Sequence, residues 1–95
     1  MGCWVYMLRC SDGRYYVGST RASLERRVGE HNNGQFGGFT SKHCPVRLIW
    51  SQWFMVITDA IAVERQIKGW RRDKKLALAN GDYDVLVSLS SRRKF

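Results

Sequence analysis

Ninety-five residues with 44% apolar and 13% aromatic side chains form one compact folding unit with a modest core, which excludes a second domain and a disordered polycation. Sixteen Lys and Arg against eight Asp and Glu leave a net charge of +8, which in so small a chain favours a polyanionic partner, most often nucleic acid. No apolar run approaches the roughly 20 residues of a membrane span, and the start Met1-Gly2-Cys3-Trp4-Val5-Tyr6 lacks the basic flank and cleavage site of a signal peptide, so a soluble, cytoplasmic protein is expected.

A β-rich apolar run over residues 3–10 is followed by Ser11-Asp12-Gly13 and a second run over 14–20, the pattern of a β-hairpin. A three-residue loop with Gly13 in the left-handed region pairs Cys10 with Arg14, Leu8 with Tyr16 and Tyr6 with Gly18, and puts Tyr6 and Tyr16 on one face. A two-residue Asp12-Gly13 turn would separate the two tyrosines, so the turn decides whether they share a site. Ser23 can cap a helix through residues 24–32 that ends at Asn33-Gly34. At about 100° per residue, Leu24, Arg27, Val28 and His31 share one stripe, while Glu25, Arg26, Gly29 and Glu30 point elsewhere.

The Gly-rich segment 34–43 suits a surface loop and precedes a strand over about 46–55. A second helix, 60–70, is expected to start at Thr58 or Asp59, with Ala60, Val63, Ile67 and Trp70 as its apolar stripe and Glu64 beside it. Asp73 is expected to cap a short helix, 74–80, stopped by Gly81. Residues 82–89 fit a short helix or a strand, and residues 90–95 a solvated basic tail. Cys3, Cys10 and Cys44 are odd in number and match no zinc spacing, which indicates buried reduced thiols. The expected order is β-β-α-β-α-α, an α+β fold with a three-stranded, mostly antiparallel sheet flanked by helices, in a single domain spanning 1–95.

Five polar groups then aim inward: Tyr6, Tyr16, Arg27, His31 and Glu64. A buried Glu or Arg is costly unless paired or bound to a ligand. An internal Arg27–Glu64 ion pair with two packed tyrosines would satisfy that requirement. So would a catalytic constellation, in which Arg and His share a helical face, Glu offers a hard oxygen ligand and the phenols donate, accept or lose a proton. These are the components that phosphodiester hydrolysis needs.

Trp4-Val5-Tyr6 and Tyr16-Val17-Gly18, then Leu24-x-x-Arg27-x-x-x-His31, then Ala60-x-x-x-Glu64-x-x-Ile67-Lys68 resemble the signature of the GIY-YIG nuclease superfamily over about residues 3–81. In particular the chain resembles the small stand-alone bacterial members, which are close to the nuclease domain of structure-specific branched-DNA endonucleases. Both tyrosines and the second glycine of the paired tripeptides are kept, and Trp4 stands where the first glycine is usual. The resemblance implies that Glu64 holds one divalent ion, Mg²⁺ or Mn²⁺, with waters completing its shell. It implies that Arg27 binds the scissile phosphate, and that Tyr16 and His31 orient water and phosphate. Tyr6 would position or deprotonate the attacking water, with His31 as the rival base. It further implies in-line hydrolysis that leaves 5′-phosphate and 3′-hydroxyl ends. Gly18 belongs to the motif, and Asn80 is the nearest polar residue after the metal glutamate, where capping alone would also explain it.

Arg65, Lys68, Arg71, Arg72, Lys74 and Lys75 cluster beyond Glu64 and offer a track for a duplex backbone, with Lys42 in the Gly-rich segment as a further phosphate contact. Trp50, Trp53 and Trp70 are expected in the core. The leading expectation is a metal-dependent DNA endonuclease, possible substrates being branched or repair intermediates. A catalytically weak basic module that binds DNA or RNA, or an interaction protein with an internal ion pair, are the alternatives.

Overall fold

The computed structural model describes residues 2–33 and 45–82. The elements run β1 (Cys3–Arg9), β2 (Tyr15–Thr20), α1 (Leu24–Asn32), β3 (Arg47–Phe54), α2 (Ile57–Lys68) and α3 (Arg72–Asn80). The strands form one antiparallel sheet in the order β2-β1-β3, so the fold is α+β as the pattern implied. Lys42, Cys44, the rest of the Gly-rich segment and the chain beyond Asp82 lie outside the described residues. No helix among the described residues is long and apolar enough to cross a membrane.

The hairpin takes the three-residue loop. The Cys10 N–H donates to the Arg14 carbonyl at 2.8 Å and the Gly13 N–H to the Cys10 carbonyl at 2.9 Å. Gly13 has φ of +88°, a conformation that costs a residue with a Cβ, so the glycine sets the turn and the turn sets the register. Leu8 pairs with Tyr16 and Tyr6 with Gly18, which leaves both tyrosines on one face.

Because β1 is the central strand, its alternation feeds two cores. Cys3, Val5 and Met7 join Val17, Ala60, Ile67 and Leu78 under α2 and α3. Tyr6, Leu8 and Cys10 join Val46 under α1, where Leu24 and Val28 pack. A bulge in β3 opposite Met7 and Leu8 pairs those residues with Trp50 and Leu48 and leaves Ile49 between them. Regular alternation would split Ile49 and Trp50 between the faces, but the extra residue lets both pack against the α2 side. Trp70 joins the same core as expected. Trp53 does not: it is 38% exposed and meets Trp4 edge-on at 5.4 Å on the α1 side.

Helix α1 matches its expected bounds, with the Ser23 hydroxyl accepting from the Arg26 N–H. The other two helices start earlier than their acidic residues suggested. In α2 the first helical bond runs from the Ala60 N–H to the Val56 carbonyl, so Val56 is the cap and Thr58 and Asp59 lie in the first turn. In α3 the Lys75 N–H donates to Arg71, which makes Arg71 the cap and places Asp73 in the first turn. There the carboxylates favour the positive end of the helix dipole, a role as compatible with Asp as capping. Gly81, at φ of +72°, ends α3.

Candidate active site

The site is built on the edge strand β2, where the α1 face of the sheet and helix α2 come together. Tyr6 reaches from β1 across β2 at Gly18. A Cβ at Gly18 would lie 2.7 Å from the Tyr6 hydroxyl oxygen, 2.9 Å from its Cζ and 3.1 Å from Tyr16 Cε1. Only hydrogen fits there, so Gly18 acts by letting the phenol cross. The Tyr6 Oη then lies 2.9 Å from His31 Nε2 in a buried hydrogen bond. Tyr16 completes the cluster, its ring centroid 4.9 Å from that of His31 and 6.4 Å from that of Tyr6.

Arg27 stands one helical turn before His31. Its Nε donates to Thr20 Oγ1 at 3.2 Å and pairs with Glu30 Oε1 at 3.6 Å. Thr20 and Glu30 are the residues the sequence pattern did not mark. Thr20 is buried at the end of β2, and its hydroxyl also accepts from the Ala22 N–H at 3.0 Å, the turn that hands the strand over to the Ser23 cap. A hydroxyl two residues before a small residue and three before a cap is a readable turn signal. Glu30 was expected to point away from the site, yet its carboxylate bridges Arg26 and Arg27. Its spacing of four and three residues from those arginines is the helical ion-pair spacing, and a flexible side chain reaches beyond the stripe on which its Cα lies.

Glu64 comes from α2, on a stripe with Ile57, Ile61 and Lys68. Ile57 and Ile61 share an open groove of about 510 Å³ with Thr20, Arg21 and Arg27, so this face of α2 opens on the arginine. The Glu64 carboxylate is mostly covered and pairs with Lys68 Nζ at 2.7 Å. The lysine expected on a DNA backbone is therefore tied to the glutamate. Among the described residues no group of three His, Cys, Asp or Glu could hold a metal ion.

The electrostatics of the cluster favour neutral groups. Burial, Tyr16, Glu64 and Glu30 raise the pKa of Tyr6 against the lowering pull of Arg27, burial being the largest cause. Burial and then Arg27 lower the pKa of His31 from its ordinary 6.5, with Glu30 opposing. Hence near neutral pH the pair is a phenol and an uncharged imidazole, in which Nε2 accepts from the hydroxyl or donates to it according to tautomer. A histidine whose pKa is lower folded than unfolded makes the unfolded chain the better proton binder between those two values. Stability is therefore expected to fall as pH drops below about 6.5, through the folded pKa. Thermal melts of wild type and His31→Gln between pH 7.5 and 5 test this, since the variant should lose that part of the slope.

Of the basic track, Arg65, Arg71 and Arg72 are exposed and Lys75 is half-buried. Lys74 departs from it: the residue is buried, and its Nζ lies 4.4 Å from the centroid of the Trp70 ring. Asn80 is exposed at the last position of α3 before Gly81, where it has a helix-end setting.

A family model described as the GIY-YIG catalytic domain matches residues 2–77. A UPF0213 protein of Haloquadratum walsbyi is 38% identical over 82 residues, covering 86% of this chain and 91% of that protein. A UPF0213 protein of Staphylococcus saprophyticus is 36% identical over 75 residues, covering 79% of this chain and 90% of that one. The solution NMR structure of a UPF0213 protein from Bacillus halodurans superposes with a TM-score of 0.55 at 32% identity, covering 84% of each chain.

Proposed function

The chain belongs to the GIY-YIG catalytic domain family, and on that premise we propose that it is a divalent-metal-dependent endonuclease that hydrolyses DNA phosphodiester bonds. The observation that carries this reading is the buried Tyr6–His31 pair beside Tyr16, with Arg27 held by Thr20 and Glu30 and with Glu64 near enough to act on the Tyr6 pKa. An arginine held in place by a hydroxyl and a carboxylate is set to meet a phosphate with its planar guanidinium, a match that lysine makes less well.

The proton path follows from the two pKa directions. A phenolate at Tyr6 is disfavoured, so Tyr6 is a poor base alone, whereas the neutral His31 ring can accept a proton. With Tyr6 donating to Nε2, the phenol oxygen keeps lone pairs for a proton of the attacking water while its own proton moves to His31. The two residues thus act as one base, and Tyr16 orients the water. Arg27 stabilises the charge that grows on the phosphoryl oxygens.

Glu64 is the oxygen ligand proposed for one Mg²⁺ or Mn²⁺. A single carboxylate fits a hydrated ion shared with the substrate phosphate, the coordination Mg²⁺ commonly adopts, and it does not fit an all-protein cage. When bound, the ion supplies Lewis-acid stabilisation of the phosphoryl group. Lys68 balances the charge of the same carboxylate and would have to give way to the ion. Arg65, Arg71, Arg72 and Lys75 would contact the duplex backbone, and branched or repair intermediates in the cytoplasm are the proposed substrates.

Labelled linear, flapped and four-way branched DNA, incubated with the protein in Mg²⁺, Mn²⁺ or chelator, tests the reading. Nicking in metal alone, fastest on a branched substrate, is the expected result. Equal binding in chelator and metal with no cut in any substrate would replace the nuclease with a basic binding module.

A further inference from the structure

A second cluster of charge lies at the tip of the β1–β2 hairpin. Gly13, Arg14, Tyr15, Arg72 and Lys75 line an open groove of about 300 Å³. Arg72 comes from the start of α3, and its guanidinium carbon lies 5.5 Å from the centroid of the Tyr15 ring. Its Nη2 is 3.4 Å from where a Cβ at Gly13 would stand. The turn and the ring together hold this guanidinium in place, which removes much of the entropy that an exposed arginine loses on binding. Arg14 is steadied by Asp12, Nε to Oδ2 at 3.3 Å. Burial lowers the pKa of Lys75, a penalty on its charged form that an anion in the groove would offset.

Among the described residues, three cations from the hairpin tip and α3 therefore line one small concavity, with Asp12 beside it engaged by Arg14. Like charges gathered this way repel one another, and an anion between them turns the repulsion into attraction. We propose that this groove is a phosphate subsite for the nucleic-acid backbone, in which Arg14 of the hairpin tip acts with Arg72 and Lys75 of α3. It rests on the reading that the partner is DNA and adds a contact remote from the bond being cut. Tyr15 and Gly18 are three residues apart in β2, or about 10 Å along the strand, and their side chains belong to opposite faces.

Fluorescence anisotropy of a labelled 20-base-pair duplex in chelator, over a series of salt concentrations, separates this subsite from catalysis. The variants are R14Q/R72Q, R14Q alone and R47Q, an exposed arginine outside both sites that controls for the loss of one charge, with circular dichroism to verify folding. Each phosphate contact contributes about 0.9 to the logarithmic salt slope, so R14Q/R72Q is expected to flatten it by about 1.8 and to weaken binding roughly tenfold. R14Q alone, at an exposed tip where no packing is lost, should flatten it by about half as much. The control R47Q should leave the slope near that of wild type. If wild type binds and R14Q/R72Q matches the control, the subsite is overturned while the nucleic-acid reading stands. If wild type does not bind duplex DNA at all, both fall together.

Discussion

Glu64→Gln is expected to slow metal-dependent nicking by about 10³-fold, or roughly 4 kcal/mol of transition-state stabilisation, because the amide keeps the shape and loses the charge proposed to hold the ion. The same change should move the free energy of unfolding by no more than about 0.5 kcal/mol. That second number decides between two accounts of the polar cluster. Glu64 pairs with Lys68, a partner about half exposed and four residues along the same helix, and such pairs contribute little. Were Glu64 instead the buried partner of Arg27 in a structural network, breaking the pair would cost about 3–5 kcal/mol. Arg27 is already engaged with Thr20 and Glu30, which is why the small value is expected. Urea titration of both proteins beside the nicking assay reads the split. A variant that unfolds early would favour the network, and a folded variant that still cuts in Mg²⁺ would remove Glu64 from the chemistry.

Much of this arrangement was legible in the sequence, for reasons particular to each residue. The hairpin was legible but its register was not, since the positive φ of Gly13 suits a three-residue loop and a two-residue Asp12-Gly13 turn alike, and it is the Cys10–Arg14 pairing that puts the tyrosines on one face. Arg27 and His31 followed from helical spacing, and Ser23 from its position before the first apolar residue. The starts of α2 and α3 did not, because Asp59 and Asp73 are as favourable in a first turn as at a cap. Thr20 and Glu30 were missed for a different reason: each acts through Arg27, and a wheel that sorts residues by Cα direction cannot report where a long side chain ends. Lys74 shows the converse. A run of like charges reads as one exposed face, yet on a helix its members point in different directions, and Lys74 turned inward over Trp70. The groove that Arg14 lines with Arg72 was likewise invisible, because the approach of the hairpin tip to α3 exists only in three dimensions.

Gly18→Ala is expected to damage both the packing of the sheet and the site built on it. The new Cβ would stand 2.7 Å from the Tyr6 oxygen, closer than a Cβ approaches a non-bonded heavy atom, and Tyr6 is 2% exposed, so the ring has little room to retreat. Overpacking of this kind costs about 1–3 kcal/mol. Activity should fall further than stability, since a displacement of about 1 Å in a reacting group can cost 10²-fold in rate. The hydroxyl that collides is also the one bonded to His31, which makes a double-mutant cycle informative. Tyr6→Phe alone loses that buried hydrogen bond, at about 1–2 kcal/mol. In the double variant Gly18→Ala/Tyr6→Phe the closest atom is gone, so the two losses should sum to less than their separate values, with a coupling of about 1 kcal/mol. Partial relief is expected because the ring carbon Cζ, at 2.9 Å, remains. Strictly additive losses would mean that the phenol does not cross β2 at Gly18. Coupled stability with no recovery of nicking would place the methyl's cost in packing and the hydroxyl's value in chemistry, the division expected if Tyr6 passes its proton to His31.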